Sequence, residues 1–196
     1  MYSGRVSKRE ALIEAAAELL WERGYSATSP AMILRLSEAG QGSMYHHFSG
    51  KAELAIAAMQ HLAGQLRSAA EMSLATEDTA IGRVSAYLDL ERNPLTGCRL
   101  GRLVQDHDVV SDSQLRAPAA EFFAWLTQSL AEVLAEGVSS GELRPDTDVE
   151  AMAALAVAAV QGGYVLARAL QDPRAFRQAV AGVKQALANL RNNDAG

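Results

Sequence analysis

Two histidine clusters, a single cysteine and a glycine pair are the residues of this chain whose chemistry needs weighing first. His46-His47 and Asp106-His107-Asp108 carry metal-ligating side chains. Neighbours on a helix point about 100° apart and rarely share one ion. Both clusters are read as structural or solvated, and no metal or other cofactor is expected. Cys98 has no second thiol for a disulfide or a zinc pair, and is read as a small buried residue. Gly162-Gly163 lies in an Ala-rich run with no strand before it, so it does not read as a phosphate loop. No nucleophile stands in a pattern with a recognisable base, which argues against an enzyme.

The stretch from Gly24 to Lys51 carries a different chemistry. Its pattern is two short helices separated by a tight turn, the geometry of a helix-turn-helix whose second helix fits the major groove. That second helix is Gln41-Gly42-Ser43-Met44-Tyr45-His46-His47-Phe48. It is polar and aromatic and has no acid, as suits a helix lying on phosphates. Taken alone, Tyr45 and His47 read equally as an aromatic pair capping a small core.

At these residues the chain resembles the TetR family of transcriptional regulators. The resemblance is carried by Ala15-Ala16, Gly24-Tyr25, Thr28-Ser29, Ile33, Gly42-Ser43-Met44-Tyr45-His46-His47-Phe48 and Lys51, without a gap from Thr28 to Tyr45. A second match, Gly97-Cys98-Arg99-Leu100-Gly101, resembles a segment of many members' ligand domains. The resemblance implies a dimeric repressor of a palindromic double-stranded DNA operator. Thr28 or Ser29, with Tyr45, His47 and Lys51, would contact phosphates, which hold register and supply salt-dependent affinity. Gln41 and Ser43 would face base edges, Gly42 would allow close approach, and His46 belongs to the same surface. Met44 and Phe48 would pack inward. Two positions depart from the family pattern. Glu38 stands where glycine is usual in the turn, so either Glu38 adopts a left-handed backbone at some cost or Gly40 takes the strained position. Gln41 stands where lysine is frequent, and an amide pairs with adenine edges.

The elements that must position these residues read as helices throughout, with no alternation of period two. Helices are expected at 7–23, 30–36, 41–48, from Lys51 onward, and then at 77–91, 98–110, 113–138, 147–170 and 173–191. The expected fold is all-α: a three-helix head at 1–51, then an antiparallel helical bundle at 52–196 for ligand binding and dimerisation. Apolar residues make up 49% of the 196, enough for a packed core. No run is expected to cross a membrane. The first ten residues do not read as a secretory signal, and the cytoplasm is the expected compartment.

A net charge of −5 is unusual for a DNA-binding chain, but its distribution permits one. Residues 1–51 carry +1 and the remainder −6. Glu10, Glu14, Glu18 and Glu22 recur every four residues, so they share one helix face and leave Arg5, Lys8, Arg9, Arg35 and Lys51 elsewhere.

The C-terminal part is expected to hold an uncharged or weakly charged, largely apolar effector among Leu103, Phe122, Trp125, Leu126, Met152, Gln161 and Tyr164, with Gln161 and Tyr164 supplying orienting hydrogen bonds. The helix at 147–170 is apolar nearly all round and must be buried on more than one side. Leu155, Ala159 and Gly162, with Val180, Val183 and Leu187, are expected to form a four-helix homodimer interface. Two other classes stay open: an enzyme in the helical domain, which turnover would establish, and a helical protein-interaction module, which failure to protect any genomic DNA would favour.

Overall fold

A computed structural model of the chain describes residues 7–192, so Arg5 lies outside the described residues. The described residues form helices joined by turns, the longest connection running from Asp89 to Asp106, with no strand among them. The order is α1 (Lys8–Arg23), α2 (Pro30–Leu36), α3 (Gln41–His47), α4 (Lys51–Leu74), α5 (Ala80–Leu88), α6 (His107–Ser111), α7 (Ser113–Ser139), α8 (Val149–Leu170) and α9 (Pro173–Ala188).

Local chemistry sets most of these ends. Ser7 and Glu10 form a reciprocal capping box: the Ser7 hydroxyl accepts the Glu10 N–H at 3.1 Å, and the Glu10 carboxylate accepts the Ser7 N–H at 2.8 Å. Ser29, Thr79, Asp106, Asp148 and Asp172 cap α2, α5, α6, α8 and α9 in turn. Pro30 and Pro173 open their helices, where a missing N–H costs nothing. In the turn between α2 and α3, Glu38 itself takes a left-handed backbone, φ 52°. Gly40 is an ordinary extended N-cap at φ −69°, so the alternative that glycine absorbs the strain is corrected.

The expected helix over 98–110 is also corrected. Turns follow Gly97, a 3-10 turn spans Leu103–Gln105, and the short α6 begins only after Asp106. Asp106 has extended ψ and uses its side chain as the α6 cap, and that conformation cannot continue a helix through it.

The chain divides into two compact units. The first comprises the residues up to Gln65 together with Arg99–Ala120; the second comprises Leu66–Cys98 and the residues from Glu121 onward. These units do not follow a division at residue 51. The reason is the grip of the 99–120 segment on α1 and the turn after it. Arg102 donates to the carbonyls of Trp21 and Glu22, and the Arg99 guanidinium stands 4.5 Å over the Trp21 ring. In the first unit α1 packs on α2 and α3 around Leu12, Ala16, Leu20, Ile33, Met44 and Phe48. In the second, α8 packs along α9, and α5 also meets α9.

By length and composition α8 is apolar enough to cross a membrane, which corrects the reading that no segment qualifies. Its inner face, with Ala153, Ala156, Val160 and Ala167, is buried. Phe176, Val180, Val183 and Leu187 of α9 are buried in the same unit.

Candidate nucleic-acid interface and ligand cavity

The outer surface of α3 is built by what its inner surface buries. Met44 is fully enclosed and Phe48 nearly so, four residues apart on one side of the helix. Gly42, Tyr45 and His46 are thereby left exposed, with Ser43 and His47 half-buried beside them. Tyr45 is 56% exposed, unusual for a large aromatic with no function at the surface. The Gln41 backbone begins the helix, but its side chain is outside the described residues.

Two cations brace this surface. Arg9 lies 5.4 Å over the Phe48 ring, and the Lys51 ammonium sits 4.0 Å over the Tyr25 ring. Arg35 is exposed in the last turn of α2. Glu14, Glu18 and Glu22 are exposed along the outside of α1, and Glu10 is engaged in its capping box. Glu53 is held below the usual carboxylate range by the hydrogen bond it accepts from the Ser49 N–H at 2.7 Å. Its charge is thus spent on the α4 start, not on α3.

Thr28 is corrected as a phosphate contact. It is 1% exposed, and its hydroxyl donates to the carbonyls of Gly24 at 2.7 Å and Leu19 at 3.2 Å. Ser29 is half-buried and caps α2, accepting the Met32 N–H at 3.3 Å, so of the pair it alone reaches the surface. His107 is exposed, and the acids beside it serve structure: Asp106 and Asp108 both accept from the Ser26 hydroxyl. Among the described residues no group of three His, Cys, Asp or Glu could hold a metal ion.

The second unit contains a cavity of about 130 Å³ lined by Leu66, Tyr87, Arg92, Cys98, Phe122, Leu126, Gln161 and Tyr164 among others. Four of the seven expected residues, Phe122, Leu126, Gln161 and Tyr164, thus come together. Three are corrected. Leu103 is fully buried in the first unit. Met152 stands eight residues before Val160, about 12 Å along α8 at the helical rise, and misses the cavity. Trp125 meets the Phe122 ring at 6.0 Å but does not line the cavity, and its own ring is covered by the Arg67 guanidinium at 4.4 Å. Tyr87 and Arg92 were not legible as lining: one sits on the inner face of α5, the other in the loop after it. Burial drives the phenols of Tyr87 and Tyr164 above their ordinary pKa, and Arg92 lowers both only in part. Both remain hydroxyls at neutral pH.

The dimer residues divide. Leu155 and Gly162 face outward on α8, with Ala159 half-buried beside them, and the exposed face is continued by Ala158, Val165, Leu166 and Leu170. Val180, Val183 and Leu187 are corrected: they are 7%, 3% and 0% exposed and belong to their own unit's core. Alpha-helical period alone does not say whether an apolar stripe faces its own chain or another.

Residues 12–58 match the family model of bacterial regulatory proteins of the tetR family, and residues 79–183 match the tetracyclin repressor-like C-terminal domain. An uncharacterised helix-turn-helix transcriptional regulator of Mycobacterium tuberculosis is 29% identical over 84% of this chain and 86% of its own length. The transcriptional repressor DhaR of a Mycobacterium species is 25% identical over 82% of each chain. A TetR-family regulator from Cytophaga hutchinsonii superposes with a TM-score of 0.84 at 25% identity, over 95% of this chain and 98% of the other. The reduced form of NemR from Escherichia coli shares the fold, with a TM-score of 0.81 at 22% identity over 97% and 100% of the two chains. With the second model alone spanning more than half of it, the chain belongs to the TetR family, a family of transcriptional regulators and not of enzymes.

Proposed function

We propose that this regulator is a cytoplasmic repressor that binds a palindromic operator as a homodimer and leaves it when a small molecule enters the cavity of the second unit. The observation that carries the DNA reading is α3: Met44 and Phe48 anchor it, and its outer side presents Gly42, Ser43, Tyr45 and His46 with no acid. Tyr45, His47, Ser29 and Lys51 contact phosphates, while Gln41 and Ser43 address base edges. The repressor role is supported by DhaR, which carries that description.

The outward stripe of α8 supports the dimer. Leu155, Ala158, Gly162 and Leu166 recur at intervals of three and four with Val165 beside them, and Leu155, Val165 and Leu166 are about half exposed. Small residues among them let two helices approach closely, and a contiguous apolar stripe on a protein surface marks an interaction site. A two-fold protein reads a two-fold site, so the operator is an inverted repeat. Release follows if the effector prefers one setting of the molecule over the DNA-binding one, since a ligand shifts an equilibrium only by its differential affinity.

The test is selection of fragments from the source genome, followed by footprinting and a transcription assay. A protected inverted repeat that overlaps a promoter, with lower transcription when the protein is present, is the expected result. Protection of no fragment by the dimer would overturn the reading and favour a protein-interaction module.

A further inference from the structure

Arg92 sets the polarity of the cavity. Its guanidinium has five N–H groups. Nη1 donates to the carbonyls of Leu88 and Leu90, both at 2.9 Å, and Nη2 donates to that of Tyr87 at 2.8 Å. Tyr87 and Leu88 lie in the last turn of α5 and Leu90 just beyond it, where carbonyls outnumber the backbone N–H groups that reach them; the Tyr87 carbonyl accepts the Leu90 N–H at 3.3 Å as well, and the three bonds hold the side chain in place. Two N–H groups remain, one on Nε and one on Nη2, the two nitrogens that border one edge of the planar fork. That edge is the one which receives a carboxylate through two parallel hydrogen bonds.

No ion pair joins Arg92 to a carboxylate among the described residues. Glu91 also borders the cavity, but its side chain is exposed and stays solvated. The other walls are apolar or neutral: Leu66, Ala69, Leu90, Phe122, Leu126 and Val160, with the hydroxyl of Tyr164 and the amide of Gln161. A half-buried cation facing apolar walls without a counter-ion is stabilised by whatever anion enters. The volume of about 130 Å³ is close to that of cavities, about 150 Å³, that admit benzene.

We infer that the cavity takes a small organic anion, a ring-sized monocarboxylate whose charge is received by Arg92 and whose apolar body packs on Phe122 and Leu126. This rests on the cavity being the effector site and replaces the expectation of an uncharged or weakly charged ligand. Tyr164 supports it: its phenol keeps its proton, so it donates to the carboxylate instead of repelling it.

The experiment uses the full-length dimer and two probe pairs, benzoate with benzamide and phenylacetate with phenylacetamide. Binding is read by calorimetry and thermal shift, and operator release by fluorescence anisotropy. Each carboxylate is expected to bind at least tenfold more tightly than its amide, and Arg92→Gln is expected to erase that preference. The wild-type series stands without the variant, should loss of the α5 contacts unfold it. Amides that bind as tightly as the acids, or carboxylates that do not bind at all, overturn the inference. Carboxylates that bind with the preference but leave DNA affinity unchanged preserve the anion site and overturn the effector reading. Amides that bind equally and release the operator do the reverse.

Discussion

Asp106 accepts both the main-chain N–H of Ser26, at 2.9 Å, and its hydroxyl, at 2.7 Å, across 80 residues of sequence. The pair ties the turn that precedes α2 to the segment that precedes α6, within one compact unit. Burial raises the Asp106 carboxyl, but the hydrogen bonds from Ser26 and from the Asp108 N–H outweigh it and hold the group below the usual carboxylate range. Gly24 lies against it at φ 83°, and an added Cβ would stand 3.3 Å from the Asp106 carboxylate.

Asp106→Ala should therefore loosen the first unit by roughly 1–2 kcal/mol, the range for hydrogen bonds to a partly exposed charge. A carboxyl whose pKa is lowered on folding contributes stability that is present above its unfolded pKa and is lost as pH falls through the folded one. The gap between wild type and variant should hold from neutral pH to about 4, the unfolded carboxyl value, then close below it. Denaturation midpoints as a function of pH measure this, and a gap that widens in acid would contradict it.

Glu38 occupies the left-handed region that costs a side chain roughly 1–2 kcal/mol and a glycine nothing. Glu38→Gly should raise stability by up to about 1 kcal/mol after the added freedom of the unfolded glycine is counted. Thermal unfolding checks it, and a fall in Tm would mean that the Glu38 side chain makes a compensating contact.

Tyr45→Phe and Lys51→Ala should weaken binding to operator and unrelated DNA by similar factors. Lys51→Ala should also lower the slope of log K against log salt by about one. Ser43→Ala should instead alter preference at one or two base positions, by up to about 3 kcal/mol each. A selection from random DNA separates the two behaviours, and an unchanged preferred sequence for Ser43→Ala would remove it from the base-reading surface.

Leu166→Glu places a charge on the exposed α8 stripe and should yield folded monomers in sedimentation. Leu187→Ala, in the buried α9 face, should instead cost about 2–5 kcal/mol of stability and leave assembly intact at temperatures below unfolding. If Leu187→Ala dissociated the dimer without destabilising the fold, α9 would belong to the interface.

Helix ends in this chain are local events, and most were legible in the sequence. Ser7, Ser29, Asp148 and Asp172 cap by bonding N–H groups two or three residues away. Pro30 begins α2 for the same near-neighbour reason. The helix-turn-helix was legible too, because Met44 and Phe48 must bury one side of a two-turn helix and so leave Tyr45 and His46 outside. What period alone does not carry is the partner of each face. Val183 and Leu166 both sit on apolar stripes, yet one is enclosed by its own unit and the other is open. The helix expected over 98–110 gave way because Asp106 reaches Ser26, a partner that no local window contains. Arg92 became part of a cavity only when the end of α5 folded its carbonyls around the guanidinium and set it beside α7 and α8. The bonds of Arg92 are local, but the walls it meets on α7 and α8, like the reach of Asp106 to Ser26 and the enclosure of Val183, come from residues far apart in sequence, and only the tertiary structure brings such residues together.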